Sequence, residues 1–385
     1  MGKLSDSSVS IIVPLYHGRK YIPQLMRMVE ACKKNAKKLA KIELVLSNDD
    51  PDETIAENIS SDMIDITVIN TEKNRGIHGA RVHGLSSCTG DFVIFLDQDD
   101  VIYPECVSSQ LANIGRADAV VCRAVNDGRF FYGRDRPFEE MTSSRYMFSV
   151  GNGILSPGQV MMRREAVSQF WQENILRCNG ADDWLLWLCM LYEGKCFARN
   201  QDILYEHTIG SGNCSGSAFG MYHSEEEMCR MLERQNYLDT LHLTQIRQAV
   251  KTGMEVRLKE LDRLKAVERI YEIWPAASMG IGFTAKMLEC AGYKTIAIYG
   301  MSKMGIRLYQ EIHEYLEVKC FIDRNAGYLK ADIPVYTLEE NIPQVDLVIV
   351  ALADRGNRIT ADVSSSLHFP VRSIENILQD MHEEV

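Results

Sequence analysis

Short apolar runs alternate with longer helical segments over the first hundred residues of the chain. The runs at 10–13, 42–46, 66–69 and 92–96 are rich in aliphatic side chains and carry few charges. Such runs are typical of strands buried on both faces of a parallel sheet, and the segments between them have room for crossover helices. The pattern therefore predicts an α/β fold with a nucleotide-binding layout between residues 9 and 102.

The pattern changes after residue 224. Strand signals vanish as far as residue 271, and apolar residues recur there at helical spacing. One stripe consists of Val250, Met254, Leu258, Leu261 and Leu264. Strand-like runs then resume at 295–300, 318–323 and 345–350. We therefore predict a first α/β domain, a helical connector and a second, smaller α/β domain, with bounds of 1–222, 223–275 and 276–385.

The composition is that of a folded protein of ordinary type. Of the 385 residues, 46% are hydrophobic and 25% are charged, which excludes disordered and collagen-like proteins. The net charge of −11 would repel nucleic acids, so a phosphate-bearing ligand would need a local positive group or a bound cation. The 11 cysteines show no CxxC spacing, and the N-terminus lacks the apolar segment of a signal peptide. We therefore expect a cytoplasmic protein without a membrane span.

Polar residues follow the predicted strands at the edge where a parallel sheet binds its ligands. The second run is followed by an acidic turn at 49–52, and the fourth by Asp97, Gln98, Asp99 and Asp100. Three carboxylates so close together would repel one another in a site shielded from water, and Mg2+ or Mn2+ would relieve that repulsion. The alternative that this acidic stretch is a solvated turn or a helix cap stays open.

The order of several short motifs resembles a known family. The motifs are VSIIVPLY at 9–16, Asp49, Asn74-Arg75-Gly76, Ala80-Arg81, Gly84, Gly90-Asp91, the acidic stretch at 97–100, Ser156-Pro157-Gly158-Gln159, Arg163-Arg164-Glu165, Asp182-Asp183 with Trp184 and Trp187, and His207. In this order and spacing they resemble the inverting family 2 glycosyltransferases of GT-A fold, over about residues 8 to 215. Two positions depart from the family pattern, because His17 replaces the usual Asn and Asp182 replaces the usual Glu.

The resemblance implies a donor site for a nucleoside diphosphate sugar at the strand ends. It places five residues against the nucleotide, with Pro14, Tyr16 and Asp49 around the base, Arg81 near the nucleotide and Asp97 at the ribose. It also assigns Asp99 to the Mg2+ or Mn2+ ion that bridges the diphosphate, and it gives His207 a further contact with the metal or the phosphate.

The resemblance further implies that Asp183 is the catalytic base. A carboxylate in this role takes the proton of the acceptor hydroxyl as that hydroxyl attacks the anomeric carbon. One base without a covalent nucleophile predicts inversion. The neighbouring Asp182 would raise the pKa of Asp183 by like-charge repulsion. Two alternatives stay open: the aspartates cap the helix that follows, and Trp184 and Trp187 belong to the core rather than to a sugar platform.

The second α/β domain carries an incomplete dinucleotide-binding motif. Gly300 and Gly305 flank a turn in which Ser302 replaces the middle glycine, and Asp323 follows 23 residues after Gly300. Residues 294–380 resemble the small Rossmann-like module at the N-terminus of sugar-nucleotide acyltransferases. A nucleotide site and a scaffold or dimerisation role with an empty pocket are both open.

These observations together predict a metal-dependent inverting glycosyltransferase. Its donor would be a UDP-sugar, and its acceptor a glycan or a lipid-linked molecule in polysaccharide biosynthesis. Two alternative functions remain open: an NAD-dependent sugar-nucleotide modifying enzyme that acts through the second domain, and a non-catalytic scaffold that binds nucleotide sugars. Whether the chain forms a homo-oligomer also stays open. The connector holds seven basic and four acidic residues between 247 and 269. It would either touch the inner face of a membrane peripherally or, as the preferred interpretation, form an ordinary solvated helix.

Overall fold

The computed structural model describes residues 7–36, 41–56, 58–208, 217–274, 283–353 and 358–383. The chain divides into two compact units, Met1–Arg257 and Leu258–Val385. The boundary falls inside the segment that the sequence predicts to be a helical connector.

Four parallel strands form one half of the first sheet. They are β1 (Ser8–Leu15), β2 (Lys41–Asn48), β3 (Asp65–Asn70) and β4 (Phe92–Phe95). Their order is β3-β2-β1-β4, and the connecting segments contain helices α1 (Ile22–Asn35) and α2 (Gly76–Ser87). The aliphatic side chains of β1, β2 and β4 are almost entirely buried, as expected for strands covered on both faces. The predicted α/β fold is confirmed, and the carboxyl ends of these strands meet at one edge.

The other half of the first sheet is partly antiparallel. Its elements and the helices between them are β5 (Val101–Ile102), α3 (Cys106–Ile114), β6 (Ala119–Asn126), β7 (Arg129–Phe130), α4 (Phe138–Met141), α5 (Ser144–Ser149), β8 (Val160–Arg163), α6 (Gln169–Glu173), α7 (Asp182–Tyr192) and β9 (Phe197–His207). From β4 onward the described strands continue in the order β8-β6-β9-β5, with β7 beside β6. Because β9 pairs with β5 directly after the acidic stretch at 97–100, His207 lies beside Asp100.

Two helices, α8 (Ala218–Arg234) and α9 (Thr240–Ile273), occupy most of the predicted connector. Both contribute side chains to the core of the first unit, namely Met228, Cys229, Leu232, Ile246, Ala249 and Val250. Along the predicted apolar stripe Val250 is buried, Met254 and Leu261 are half-buried, and Leu258 and Leu264 are 37% and 52% exposed. A helical period in the sequence does not by itself supply a surface for the stripe to cover. No helix in the described ranges has an apolar stretch long enough to span a bilayer.

The second unit is a small doubly wound domain. After the end of α9 it contains α10 (Phe283–Cys290), β10 (Thr295–Tyr299), α11 (Lys303–Ile312), β11 (Glu317–Ile322), β12 (Val335–Tyr336), β13 (Leu347–Val350), α12 (Arg358–Ser366), β14 (Val371–Ser373) and α13 (Ile374–Glu383). Its described strands are all parallel, in the order β12-β11-β10-β13-β14. The three predicted runs form β10, β11 and β13, which confirms the second α/β fold.

Candidate active site

Helix α2 lies close to the first sheet, and this closeness buries Arg81. A Cβ atom on Gly84 would lie 2.4 Å from Cγ2 of Ile12, so a larger residue would force the helix away from β1. The hydroxyl of Ser47 on β2 donates to the carbonyl oxygen of Ala80 at 2.8 Å. The next residue, Arg81, is only 3% exposed. A guanidinium at this depth requires carboxylate partners.

The Arg81 guanidinium is paired with two carboxylates from distant parts of the chain. Its Nη1 donates to Asp182 at the start of α7, and its Nη2 donates to Asp97 after β4. Burial disfavours the charged form of Arg81, but the charges of Asp182 and Asp97 outweigh that effect and raise its pKa. Asp182 therefore does more than tune Asp183, because it also holds this arginine. The nucleotide contact of Arg81 and the ribose contact of Asp97 stay predictions.

Asp183 lies in the first turn of α7 and is 8% exposed. Its Oδ1 accepts the N–H of Trp184 at 2.7 Å, and its Oδ2 accepts a hydrogen bond from Nδ2 of Asn152 at 2.9 Å. Burial, and after it the charge of Asp182, raises the pKa of Asp183 to about 7. A carboxylate with such a pKa is suited to accept a proton near neutral pH. The structure thus gives Asp183 the properties of a base, while the role itself stays a prediction.

The tryptophans near Asp183 belong to the core. Trp184 and Trp187 are almost completely buried, and Nε1 of Trp184 donates to the carbonyl oxygen of Met147 at 3.0 Å. Nε1 of Trp171 donates to the carbonyl oxygen of Asp182 at 2.7 Å, which fixes the backbone at the start of α7. These rings therefore support the site from inside rather than presenting a face to a sugar.

The three acidic side chains after β4 have different surroundings. Asp100 is fully buried and accepts hydrogen bonds from the Tyr205 hydroxyl and from the Thr208 N–H, the latter at 2.9 Å. His207 also places its Nδ1 2.9 Å from Oδ1 of Asp100, and this contact raises the pKa of His207. Asp99 stays half-buried, and burial and then the charge of Asp100 raise its pKa. A cation near Asp99 would relieve this electrostatic stress.

The residues at this edge fit a metal site in which the protein and the phosphate groups of a ligand both supply oxygen atoms. Within the described ranges, no three His, Cys, Asp or Glu side chains converge as a metal cluster. Mg2+ and Mn2+ commonly bind through one or two carboxylates together with phosphate oxygens, so Asp99 alone can suffice when a diphosphate is present. His207 is engaged with Asp100, and its predicted metal or phosphate contact stays a prediction.

Gln98 is part of the acidic stretch but has no role predicted from the sequence, and it joins the acidic turn to the loop after β1. Its Oε1 accepts the N–H of Tyr16 at 3.0 Å, and its Nε2 donates to the carbonyl oxygen of Tyr16 at 3.1 Å. Gly18 leaves room for this contact, since a Cβ there would lie 2.4 Å from Oε1 of Gln98. The Tyr16 ring is half exposed and lies beside the His17 ring, with 4.1 Å between the ring centroids.

The other residues predicted to contact the base of the nucleotide, Pro14 and Asp49, have different surroundings. Pro14 is buried within β1, opposite Ser47 of β2. Asp49 is buried and accepts the N–H of Arg75 at 2.8 Å, and burial raises the pKa of Asp49. His17, which departs from the family pattern, has a φ of +49° and places Nδ1 2.7 Å from Oδ2 of Asp50. The predicted contacts of Pro14 and Asp49 with the base of the nucleotide stay predictions.

Helix α8 braces the segment that leads into Asp183. The carboxylate of Glu227 accepts the N–H groups of Arg177 and Cys178. The Ser224 hydroxyl accepts the N–H of Ala181 at 3.0 Å and donates to the carbonyl oxygen of Cys178 at 2.8 Å. The first helix of the predicted connector is thus part of the site's support, which its plain amphipathic pattern did not indicate.

The glycine turn of the second unit satisfies its own polar groups. Asp323 accepts the N–H of Met301 and the N–H of Asn325, each at 2.9 Å. The Ser302 hydroxyl accepts the N–H of Gly305 at the start of α11. The Met301 N–H therefore points at a carboxylate of the protein, where a bound phosphate would otherwise be expected.

Comparison with known proteins agrees with the geometry of the first unit. Residues 10–171 match the model of glycosyl transferase family 2. The matched residues cover less than half of the chain. The match confirms the enzyme class predicted from the motifs. It includes Arg81, Asp97 and Asp99, whereas Asp183 and His207 lie beyond the matched residues.

A curated relative that is named for a transferase activity is similar to a short part of this chain. The undecaprenyl-phosphate 4-deoxy-4-formamido-L-arabinose transferase of Pseudomonas savastanoi is 34% identical over 93 residues, which cover 24% of this chain and 28% of the relative. The chain thus spans about a quarter of the length of that relative.

Two solved structures are more distantly similar. TarS 1-349 of S. aureus in complex with UDP-GlcNAc is 20% identical, with a TM-score of 0.44 over 62% of this chain and 70% of that chain. The mannosyltransferase PcManGT from Pyrobaculum calidifontis, in complex with GDP-Man and Mn2+, is 14% identical, with a TM-score of 0.42 over 74% of this chain and 79% of that one. Likeness at this level does not extend to ligands.

Proposed function

We propose that the chain is a metal-dependent inverting glycosyltransferase that moves a sugar from a UDP-sugar to a hydroxyl of a glycan or lipid-linked acceptor. The observation that carries this proposal is the buried carboxylate of Asp183, whose pKa is raised to about 7. Its neighbour Asp182 is tied through Arg81 to Asp97 at the end of β4. A proton acceptor and the donor-binding edge of a family 2 domain are thereby joined in one network.

The donor side of the reaction uses the edge of the first sheet. Asp97 is oriented by Arg81, and the half-exposed ring of Tyr16 is available for stacking on a base. When bound at Asp99, Mg2+ or Mn2+ would neutralise charge on the diphosphate leaving group. Gln98 sets the position of Tyr16 relative to the acidic turn.

The acceptor side depends on the protonation state of Asp183. Only its ionised form can take the proton of the attacking hydroxyl, so transfer should rise with pH through about 7 and level off above it. Attack assisted by one carboxylate, with no covalent intermediate, inverts the anomeric centre.

The proposal also covers the acceptor and the cellular location of the reaction. The relative from Pseudomonas is named for transfer involving undecaprenyl-phosphate, and this supports a lipid-linked acceptor for the present chain. We place the reaction in polysaccharide biosynthesis in the cytoplasm, and a lipid-linked acceptor would bring it to the inner face of the membrane.

The proposal can be tested by calorimetric titration of UDP, GDP and NAD with and without Mn2+, followed by hydrolysis assays on a panel of nucleotide sugars. We expect Mn2+-dependent binding of UDP and hydrolysis of a UDP-sugar. Binding of NAD alone, without any metal-dependent nucleotide binding, would overturn the proposal in favour of a modifying activity in the second unit. Binding of a nucleotide without hydrolysis of any nucleotide sugar would favour a non-catalytic scaffold.

A further inference from the structure

A loop with two glycines carries Asn152 to the Asp183 carboxylate. Gly151 has a φ of +145°, which side-chain-bearing residues rarely adopt. A Cβ atom on Gly153 would lie 2.0 Å from the carbonyl oxygen of Met141. Both glycines are therefore needed for the backbone path on either side of Asn152.

Both ends of the Asn152 amide are engaged. Its Oδ1 accepts the N–H of Ile154 at 3.1 Å, which leaves Nδ2 as the group that faces Asp183. Nδ2 donates to Oδ2 of Asp183 at 2.9 Å, while the N–H of Trp184 binds the other oxygen, Oδ1. Each carboxylate oxygen thus receives one fixed hydrogen bond and keeps a lone pair for a proton.

The charges around Asp183 make this neutral contact important. Asp182 faces it from its own helix, while Arg81 and, beyond it, Asp97 belong to the network on the α2 side. The buried ring of His78 lies near Asp182 and is itself bound to the backbone at both nitrogens. Within the described residues no cation forms a direct ion pair with Asp183, so an amide donor can orient the carboxylate without neutralising it.

We propose that Asn152 is a positioning residue that holds the Asp183 carboxylate in the orientation needed to accept the acceptor's proton. This inference rests on the proposed function, because it takes Asp183 to be the base. Asn152 lies 31 residues before Asp183 in the chain, on a loop outside every motif that predicted the site.

The proposal is tested by measuring transfer rate against pH and donor affinity for Asn152→Ala and Asn152→Asp in the full chain. Loss of one hydrogen bond to a charged group should lower the rate about tenfold and leave donor affinity unchanged. It should also move the rising limb of the pH profile upward by about one unit, because the ionised form loses a donor. Asn152→Asp should move the limb further, since it adds a like charge.

Asn174→Ala is the matched control. Asn174 is also half-buried in the first unit, and its Nδ2 donates to the carbonyl oxygen of Phe170 at 2.9 Å. This variant should keep the wild-type pH midpoint even if its stability falls. A uniform loss of rate in Asn152→Ala with an unmoved midpoint would overturn the positioning role and indicate a structural one.

Asp183→Asn separates failure of this inference from failure of the proposed function. If Asp183→Asn transfers normally, the transferase function stands, but Asp183 is not the base and the positioning role fails with it. If the wild-type chain transfers sugar from no nucleotide sugar, the proposed function itself fails. If it is inactive while Asn152→Ala and Asn152→Asp keep the wild-type midpoint, only the positioning role fails.

Thermal unfolding against pH supplies a readout that needs no substrate. The raised pKa of Asp183 in the folded state means that its contribution to stability falls as pH rises towards about 7. Asn152→Ala should extend that fall to higher pH, and Asp183→Asn should remove it. Parallel curves for Asn152→Ala and the wild type would overturn the proposal.

Discussion

Both units end parallel strands in turns that carry an acidic residue, yet the two turns treat their carboxylates differently. In the first unit, burial and neighbouring charges raise the pKa of Asp99 in the turn after β4, and they also raise the pKa of Asp183 in the first turn of α7. In the second unit, Asp323 accepts two backbone N–H groups and supports the turn itself. A position at the carboxyl end of a sheet is therefore not enough to indicate a site. Carboxylates whose pKa is raised by burial and by neighbouring charges are a better indication of a functional site.

Within this comparison of the two units, the strongest expected effect comes from a change at Asp183. Asp183→Asn keeps the shape of the side chain but cannot accept a proton, so transfer should fall by about 10²- to 10⁴-fold while donor affinity stays unchanged. Steady-state rates and calorimetry would measure this split. Near-normal transfer would remove Asp183 from the mechanism and shift attention to Asp182.

Asp182→Asn, at the neighbouring position, distinguishes the expectation from the sequence from that of the structure. From sequence alone it should only lower the pKa of Asp183 and cost little. In the structure it would break a buried ion pair with Arg81, and removal of one partner of such a pair commonly costs about 3–5 kcal/mol. We therefore expect a lower thermal midpoint for Asp182→Asn, which the Asp183 variant should not share to the same degree.

Asp99→Ala tests the metal side of the same edge. Without this carboxylate the cation that would neutralise the leaving diphosphate loses its main ligand, and transfer should fall by about 10²-fold. Donor affinity should fall too, and excess Mn2+ should restore little. Unchanged affinity together with no response to a chelator would contradict the metal assignment.

Gln98→Ala should have an intermediate effect. It removes both hydrogen bonds that hold Tyr16 to the acidic turn, so the KM for the donor should rise by about tenfold with a smaller change in kcat. Gln201→Ala is a suitable control, because Gln201 is exposed and its side chain bonds only to Glu139 among the contacts described. Equal effects of the two variants would argue against a role for Gln98 in the site.

Asp323→Asn tests whether the acidic residue of the second unit supports its turn or takes part in ligand binding. Loss of one accepted backbone hydrogen bond should lower the free energy of unfolding of that unit by about 1 kcal/mol and leave transfer unchanged. Thermal unfolding and the transfer assay would check both outcomes. A loss of nucleotide binding in this variant would show that the second turn is a ligand site after all.

Deletion of residues 276–385 should have the smallest effect on nucleotide binding. Every proposed donor and base residue lies in the first unit, so metal-dependent UDP binding and donor hydrolysis should persist. The truncated chain would expose Ile270 and Trp274, which are buried in the second unit's core, and its solubility should fall. Complete loss of binding by a soluble truncated protein would contradict the predicted domain roles.

The sequence by itself determined the strands that are covered on both faces. Such strands must be apolar along their whole length, so β1, β2, β4 and the three strands at the centre of the second sheet appear as local runs. The motifs also located Asp99 and Asp183 as candidate residues. The strands β5 and β7, two residues each, were beyond this kind of prediction, because so short a segment has no measurable period.

Only the tertiary structure decided which polar groups meet. Arg81 lies 16 residues from Asp97 and 101 from Asp182, and nothing in the local sequence around any of them specifies the others as partners. The same holds for Asn152 and Asp183, since a hydrogen bond is set by the approach of two chain segments and not by the composition of either. Burial then determines how much each contact matters, because a charge loses its alternative partners in water only after the fold has closed around it.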